Sequence, residues 1–136
     1  MAYWLIKSEP DVWSWADQVK NVVTSWDGVR NYQARNNLRA MKVGDSALFY
    51  HSGNERRIMG VVTIIKPYYP DPSDSSGRFG MVDVKRLDSF SHPVSLAQIK
   101  SDQRLQHIAL VKQSRLSVMP IDKASWEILV SIGKEG

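Results

Sequence analysis

The short apolar runs of this chain alternate with turns and irregular helical stretches, and this arrangement limits the possible folds most strongly. In residues 46–52, Ala47, Phe49 and His51 alternate with Leu48 and Tyr50 as on the two faces of a strand; turn residues follow at 52–54, and a second apolar run lies at 56–66. Two such runs around a short turn predict a β-hairpin, with Gly60 as a candidate bulge. No strand–helix–strand rhythm accompanies the hairpin, which disfavours a doubly wound parallel sheet. We therefore predict a small curved sheet or barrel with helices packed outside it.

Periodicity and capping residues place the other elements. Further strands are predicted at residues 3–6, 80–87 and 115–121, and helical stretches at 10–20, 31–42, 96–100 and 101–110, with a terminal helix after Asp122. The first helix is expected to start with a capping box from Ser8 to Asp11, and the terminal helix to end at Gly133. Residues 21–29 and 68–77 are expected to be loops, the second of them mobile.

The length and composition of the chain exclude several protein classes. A chain of 136 residues with 43% apolar side chains can bury one core, so a single domain over residues 1–136 is expected. The absence of cysteine excludes disulfide scaffolds, cysteine-ligated metal sites and thiol catalysis. No apolar stretch approaches the roughly 20 residues of a membrane-spanning helix, and no signal peptide is evident. We expect a monomer that binds no membrane and is cytoplasmic, or nuclear if the source is eukaryotic.

Charge and aromatic content favour a nucleic-acid partner. The net charge is +4, and the chain contains five tryptophans and five tyrosines. Proteins that bind single-stranded nucleic acid use aromatic rings to stack on bases and basic side chains to neutralise the backbone. A modest positive charge alone is also common in other soluble domains. The prediction of a nucleic-acid partner therefore depends on the charge and the aromatic content together.

The segment between Asp27 and Asp45 contains basic residues and no acid. The basic residues are Arg30, Arg35, Arg39 and Lys42. We expect them to contact phosphates, and Arg30, Asn31 and Tyr32 together to contact phosphate and base edges. The alternative is a basic helix face that is merely solvated. Trp26 lies just before this segment. The alternative to a contact between its ring and the nucleic acid is a role as a core residue.

No residue pattern in the chain predicts catalysis, a metal site or a cofactor. His51 and Ser52 are neighbours on a predicted strand, so their side chains point to opposite faces and form no nucleophile–base pair. The three histidines lack zinc-binding spacing, and the glycines form no phosphate-binding loop. Glu9 is the one early carboxylate near a strand end, although it has an alternative role at a helix N-terminus.

A second acid-free segment lies between Asp102 and Asp122. If residues 115–121 form a strand, Arg115 and Ser117 point to the same face and could hydrogen-bond a polar ring. The alternative is an exposed arginine on an edge strand.

Five sequence blocks together resemble the EVE domain family. The blocks are KSEP at 7–10, WDGVRNYQARN at 26–36, GD at 44–45, LFYHS at 48–52 and RLSV at 115–118. Their order and spacing cover nearly the whole chain. The resemblance implies an α+β, PUA-like fold, a twisted mixed β-barrel with peripheral helices, related to the YTH readers of methylated RNA.

The resemblance also implies a function, namely a pocket that binds a flipped-out, modified base of DNA or RNA without catalysis. Its implied pocket residues are Lys7, Ser8 and Glu9 at the strand end; Trp26, Val29, Arg30, Asn31 and Tyr32 at the pocket lip; Tyr50, His51 and Ser52 on the hairpin; and Arg115 and Ser117 on the late strand. Two alternatives stay open. One is an enzyme or enzyme subunit acting on RNA or a nucleotide, with Glu9 or His51 as general base. The other is a sensor of a small heterocyclic metabolite.

Overall fold

A six-stranded mixed sheet forms the centre of the computed structural model, which describes residues 1–136. The strands are β1 (Tyr3–Ser8), β2 (Val23–Ser25), β3 (Ser46–His51), β4 (Arg57–Pro70), β5 (Gly80–Ser95) and β6 (Val118–Ile121). The α-helices are α1 (Trp15–Asn21), α2 (Tyr32–Ala40), α3 (Leu96–Ser101), α4 (Ala109–Lys112) and α5 (Lys123–Glu135), and a 3₁₀ turn spans Gln103–Leu105. None of the helices combines the length and apolar character that crossing a membrane requires.

The strand order across the sheet is β2-β5-β4-β3-β1-β6. Strands β1 and β3 are parallel, and every other neighbouring pair is antiparallel. The short strands β2 and β6 are therefore the two edges, and the hydrogen-bond ladder does not join them. The arrangement confirms the predicted α+β fold with helices outside the sheet.

The predicted hairpin is confirmed, and so is the irregularity at Gly60. Strand β3 pairs with β4 so that Phe49 faces Gly60, and the register shifts at the next position. A Cβ at Gly60 would lie 2.3 Å from the Trp15 indole and 2.5 Å from the carbonyl oxygen of Asp88. Glycine is thus required here because the Trp15 ring packs directly on the backbone.

Phe49 lies at the centre of the core and is fully buried. The edges of two tryptophans pack on it, with ring centroids 5.0 Å away for Trp15 and 5.4 Å away for Trp26. Helix α2 adds Ala34 and Leu38 from its buried face. The aromatic cluster joins β3 to the first residue of α1 and to the segment after β2, because aromatic edges pack favourably on a ring.

The predicted start of the first helix is wrong. Ser8 belongs to β1, where it pairs with His51, and therefore cannot cap a helix. Helix α1 begins six residues later, where Ser14 and Asp17 form the capping box. The sequence contains one Ser-x-x-Asp pattern at residues 8–11 and another at residues 14–17. Because Ser8 is paired within β1, only the second pattern can cap the helix.

Three predictions around β5 are also wrong. The expected loop at 21–29 contains β2, which pairs with residues 83–85 of β5. The expected loop at 68–77 starts late, because β4 continues to Pro70, and β5 continues to Ser95 instead of ending at residue 87. These extensions carry little alternation of their own and are strands because partner strands are available.

The C-terminal third mixes confirmed and corrected elements. Helix α3 has the predicted Ser95 cap, whereas the expected helix at 101–110 is divided into the 3₁₀ turn and α4. Strand β6 begins only at Val118, so Arg115 and Ser117 precede it. Gly133 does not end α5, because the helix continues to Glu135 and Gly133 is buried against the Phe90 ring.

Candidate functional site

A cleft of about 1110 Å³ lies where the sheet is open, between β2 and the end of β1. Its wall on one side is the continuous segment from β2 to the start of α2, and on the other side the end of β1 with the turn after it. The lining residues are Lys7, Ser8, Glu9, Val12, Trp13, Asn21, Val23, Thr24, Ser25, Trp26, Asp27, Gly28, Val29, Arg30, Asn31 and Ser117.

Trp26 connects the cleft to the core. Its side chain is 7% exposed and packs edge-on against Phe49, so it lines the cleft from the core side and does not protrude at the lip. Its indole N–H has no acceptor in the protein, whereas the indole N–H groups of Trp4, Trp13 and Trp15 all do. Every buried side-chain nitrogen and oxygen has a partner. The indole N–H of Trp26 is therefore accessible. Because the Trp26 side chain lines the cleft, a ligand in the cleft can accept a hydrogen bond from this group.

The outer edge of β2 contributes main-chain polar groups. The Trp26 N–H donates to the carbonyl of Val82, and the Arg86 N–H donates to the carbonyl of Val22. Because these groups point toward β5, the alternation of an antiparallel ladder directs the main-chain groups of Val23 and Ser25 the other way. Val23 and Ser25 both line the cleft, so this free edge offers N–H donors and a carbonyl acceptor to it.

The opposite wall is polar and is hydrogen-bonded to the turn before β6. The Lys7 main-chain N–H donates to the Ser117 carbonyl, and the Lys7 ammonium donates to the Ser114 carbonyl, both over 2.9 Å. Burial lowers the pKa of Lys7 below its usual range. The Ser8 hydroxyl donates to the Trp13 carbonyl, which fixes the turn after β1. Glu9 in this wall is exposed.

A buried carboxylate, Asp71, holds the wall around Arg30. Asp71 accepts hydrogen bonds from the main-chain N–H of Gly28 at 2.9 Å and from the Arg30 guanidinium at 3.2 Å. It also accepts from the N–H and hydroxyl of Ser73. Burial alone would raise the pKa of Asp71, but the hydrogen bonds from Ser73, Gly28 and Arg30 outweigh it and lower the pKa to about 2. Asp71 is therefore ionised at neutral pH.

A basic and aromatic surface continues from the cleft along α2. The Arg30 guanidinium lies 5.6 Å from the Phe79 ring centroid, and Tyr32 packs on the same Phe79 at 5.1 Å. The Arg35 guanidinium lies 4.8 Å from the Tyr32 ring. One turn further, the Arg39 guanidinium lies 5.3 Å from the Tyr68 ring. These contacts orient the cations while leaving Arg39 exposed.

The structure brings eight of the thirteen predicted pocket residues into the cleft. They are Lys7, Ser8, Glu9, Trp26, Val29, Arg30, Asn31 and Ser117. Asn31 is also the N-cap of α2, since its side chain accepts a hydrogen bond from the Ala34 N–H.

The other five predicted pocket residues do not line the cleft. Tyr32 lies outside it on α2, and Arg115 is exposed in the turn before β6. Tyr50 is buried beneath the Lys7 ammonium, which lies 5.7 Å from its ring. Ser52 follows β3, and its N–H donates to the Ser8 carbonyl. His51 is 5% exposed and makes its contacts with Trp15 and Glu55.

Sequence reasoning missed both the β2 edge and Asp71. A three-residue strand carries too little periodicity to be recognised, so Val23–Ser25 was expected to be loop. The Asp-Pro-Ser sequence at 71–73 does signal a turn, because an aspartate can accept from the N–H two residues later. That signal indicates the turn only, since the partners on the cleft wall are more than 40 residues away. No group of three His, Cys, Asp or Glu side chains is arranged to hold a metal ion.

Comparison with known proteins gives consistent results. The family model for the EVE domain matches residues 2–132. Thymocyte nuclear protein 1 from Gallus gallus is 36% identical over an alignment that covers 98% of this chain and 69% of that protein. The human protein of the same name is 34% identical, with 96% of this chain and 73% of that protein covered.

Solved structures agree in fold. A protein from Rhodopseudomonas palustris superposes with a TM-score of 0.92 at 45% identity, covering 98% of this chain and 93% of its own. Human THYN1 in complex with DNA containing 5-methylcytosine gives 0.88 at 33% identity, covering 100% and 99%. A YTH domain from Zygosaccharomyces rouxii gives 0.60 at 17% identity, covering 98% and 86%, which shows a shared fold. These matches confirm the expected PUA-like architecture, and the chain belongs to the EVE domain family.

Proposed function

We propose that this chain, acting as one domain, binds a modified nucleobase extruded from a nucleic-acid strand, and that it does so without changing the base chemically. The observation that carries this proposal is the environment of Trp26. Its ring is held by the core, yet it lines the cleft and has an unpaired indole N–H. A rigid aromatic surface with a free donor suits a flat, polar heterocycle.

The cleft offers a base both of the interactions that it needs. Stacking on an aromatic ring contributes about 1 to 3 kcal/mol per base. Extruding a base from a duplex costs a few kcal/mol, so stacking must be supplemented by hydrogen bonds to the base edge. The free edge of β2 and the polar groups of Lys7, Asn31 and Ser117 surround the cleft and supply those bonds.

The basic surface on α2 gives the strand a place to bind. We propose that Arg35, Arg39 and Lys42 contact phosphates, and that Arg30 stands between this surface and the cleft wall. Arg39 makes no hydrogen bond within the protein, and its guanidinium lies over the Tyr68 ring. Its guanidinium N–H groups are therefore available to phosphate oxygens.

The relatives support a modified base as the ligand. A human homologue with 33% identity over the whole chain forms a complex with DNA containing 5-methylcytosine. We extend this ligand class to the present chain, and 5-methylcytosine is the first base to be tested. We also expect a nuclear location if the chain comes from a eukaryote, because its relatives are named as nuclear proteins.

Binding without turnover is supported by the positions of the two candidate general bases. His51 accepts the Trp15 N–H at Nε2 and contacts Glu55 through Nδ1, so both ring nitrogens are engaged away from the cleft. Of these two candidates only Glu9 lines the cleft, and the one other carboxylate in the lining, Asp27, belongs to the opposite wall. A single acid or base contributes about 10² to 10⁴ in rate, less than glycosidic or phosphodiester cleavage requires.

The test is retention from a mixture of modified nucleosides and oligonucleotides, followed by mass spectrometry of the bound and unbound fractions. We expect selective retention of one base class with its mass unchanged. Conversion that is lost in Glu9→Gln while binding persists would establish the alternative, an enzyme acting on a nucleic acid or nucleotide. Retention of a free heterocycle with no affinity for any oligonucleotide would instead indicate a metabolite sensor.

A further inference from the structure

The loop between β4 and β5, residues 71–79, is built around two aspartates. The Asp71 side chain is completely buried and accepts four hydrogen bonds, two of them from Ser73 and one each from Gly28 and Arg30. Burying a carboxylate costs free energy unless its oxygens accept hydrogen bonds, so the position of the loop depends on these four bonds. The loop is thereby fastened to the cleft wall.

The contact reaches the wall at a glycine with a left-handed backbone conformation. Gly28 has a φ of +78°, and it connects Trp26 to the Val29–Arg30 segment. Ser73 adds a second restraint, because its hydroxyl accepts from the Arg30 guanidinium at 2.9 Å. Asp71 and Ser73 together hold both terminal nitrogens of the Arg30 guanidinium, and Nη1 also donates to the Val29 carbonyl.

Asp74 performs a similar task in the same loop without touching the cleft. It accepts hydrogen bonds from Ser76 and from the main-chain N–H of Phe79. Asp74 does not line the cleft and accepts no hydrogen bond from Gly28 or Arg30, although its charge also acts on Arg30. It therefore provides a matched control for the loss of an aspartate from this loop.

We infer that Asp71 is a positioning residue for the cleft, which fixes the Gly28 turn and the orientation of Arg30 and so keeps the wall in the shape that receives a base. This inference rests on the proposed function. Base affinity then depends on a residue outside the cleft, in a loop that the sequence predicts to be mobile.

Asparagine differs from aspartate in its charge and in its hydrogen-bond donors. In Asp71→Asn the amide keeps the size of the carboxylate but places an NH₂ group where only acceptors fit. Oδ2 of Asp71 accepts from both Gly28 and Arg30, and Oδ1 accepts from both Ser73 groups. The amide therefore leaves either the Gly28 and Arg30 donors or the Ser73 main-chain N–H without an acceptor, and in both orientations Arg30 loses its counter-charge. Arg30 becomes free to leave the wall and to contact phosphate.

The experiment compares Asp71→Asn with Asp74→Asn, using 5-methyl-2′-deoxycytidine and a single-stranded oligonucleotide with one 5-methylcytosine as probes. We expect Asp71→Asn to weaken nucleoside binding about tenfold or more, equivalent to about 1.4 kcal/mol. Asp74→Asn should change it by less than about threefold, since Asp74 makes no hydrogen bond to the wall and acts on Arg30 only through its charge and through Phe79. The salt dependence of oligonucleotide binding should steepen in Asp71→Asn by up to about one phosphate contact, because Arg30 is released.

Two further variants keep the inference testable. Ser73→Ala removes an exposed hydroxyl that contacts both Asp71 and Arg30, so it should fold and weaken nucleoside binding in the same direction. In an Arg30→Gln background, Asp71→Asn should have a smaller effect, because the two residues act through one contact.

The outcomes separate the two proposals. If the native protein binds the nucleoside and Asp71→Asn and Ser73→Ala leave both affinity and salt dependence unchanged, the role of Asp71 is overturned and the proposed function stands. If the native protein binds neither probe nor any other modified nucleoside, the proposed function is overturned, and the role of Asp71 with it.

Discussion

The main-chain N–H of Trp15 donates to Nε2 of His51 over 2.9 Å, although the two residues are 36 positions apart. Nε2 must be unprotonated to accept this bond, so Nδ1 carries the proton and donates to Glu55. The histidine thus anchors the first residue of α1 to the end of β3. This places His51 in the structural framework beside the cleft.

We expect His51→Ala to destabilise the fold by about 1 to 3 kcal/mol, because the buried Trp15 N–H loses its acceptor. Nucleoside affinity should remain near the native value at temperatures where the variant is folded. Denaturant unfolding and nucleoside titration measure the two effects, with the exposed His92→Ala as control. Loss of affinity at unchanged stability would place His51 in the binding site.

Trp26→Phe should weaken nucleoside binding about tenfold, because it removes the indole N–H and shortens the stacking surface. Trp15→Phe is the matched control, since both tryptophans are 7% exposed and pack on Phe49, but only Trp26 lines the cleft. Both variants should lose about 1 to 3 kcal/mol of stability. Trp26→Ala is less informative, as truncation of a core tryptophan costs about 3 to 5 kcal/mol.

Equal losses of affinity in the Trp26 and Trp15 variants would mean that Trp26 acts only through the core. Isothermal calorimetry together with unfolding curves on the same preparations distinguishes these cases.

Arg39→Gln should weaken binding to every oligonucleotide by a similar factor and lower the salt slope by about one phosphate contact. Free nucleosides should bind as before, since Arg39 does not line the cleft. Arg104→Gln serves as control, because Arg104 is exposed on the 3₁₀ turn and is paired with Asp102. A parallel fall in nucleoside affinity would argue against a separate phosphate surface.

Stability should depend on acid pH through Asp71. Its pKa is about 2 in the folded protein, below the ordinary 3.8, so the folded state favours the ionised carboxylate. The resulting stabilisation, about 2 kcal/mol, is fully present above pH about 4 and is lost as the pH falls through about 2. The free energy of unfolding, measured from about pH 5 to about pH 2, should therefore fall less steeply with decreasing pH in Asp71→Asn than in the native protein.

Asp122 provides a comparison, because its pKa is also lowered to about 2. Its side chain is 47% exposed, so solvent screening should make its contribution smaller than that of Asp71. An Asp122→Asn variant that flattens the acid profile more than Asp71→Asn would contradict the importance of the buried carboxylate.

Much of the fold follows from local sequence. The alternation at 46–52, the turn after it and Gly60 correctly predict the β3–β4 hairpin. The Ala34–Leu38–Met41 spacing correctly predicts α2, whose buried face contacts the core. Helix α3 likewise begins at the predicted Ser95 cap. These elements are recoverable because their hydrophobic spacing and caps lie within a few residues of each other.

The sequence by itself determined the hairpin, α2, the basic character of that helix and the blocks that mark the EVE domain family. The tertiary structure alone decided that Val23–Ser25 is a strand, that His51 is a structural acceptor, and that Asp71 is buried against the cleft wall. Each of these depends on a partner 36 or more positions away. Local periodicity records which face of an element is apolar, whereas the partner that satisfies a buried polar group is fixed only when the distant segments pack together.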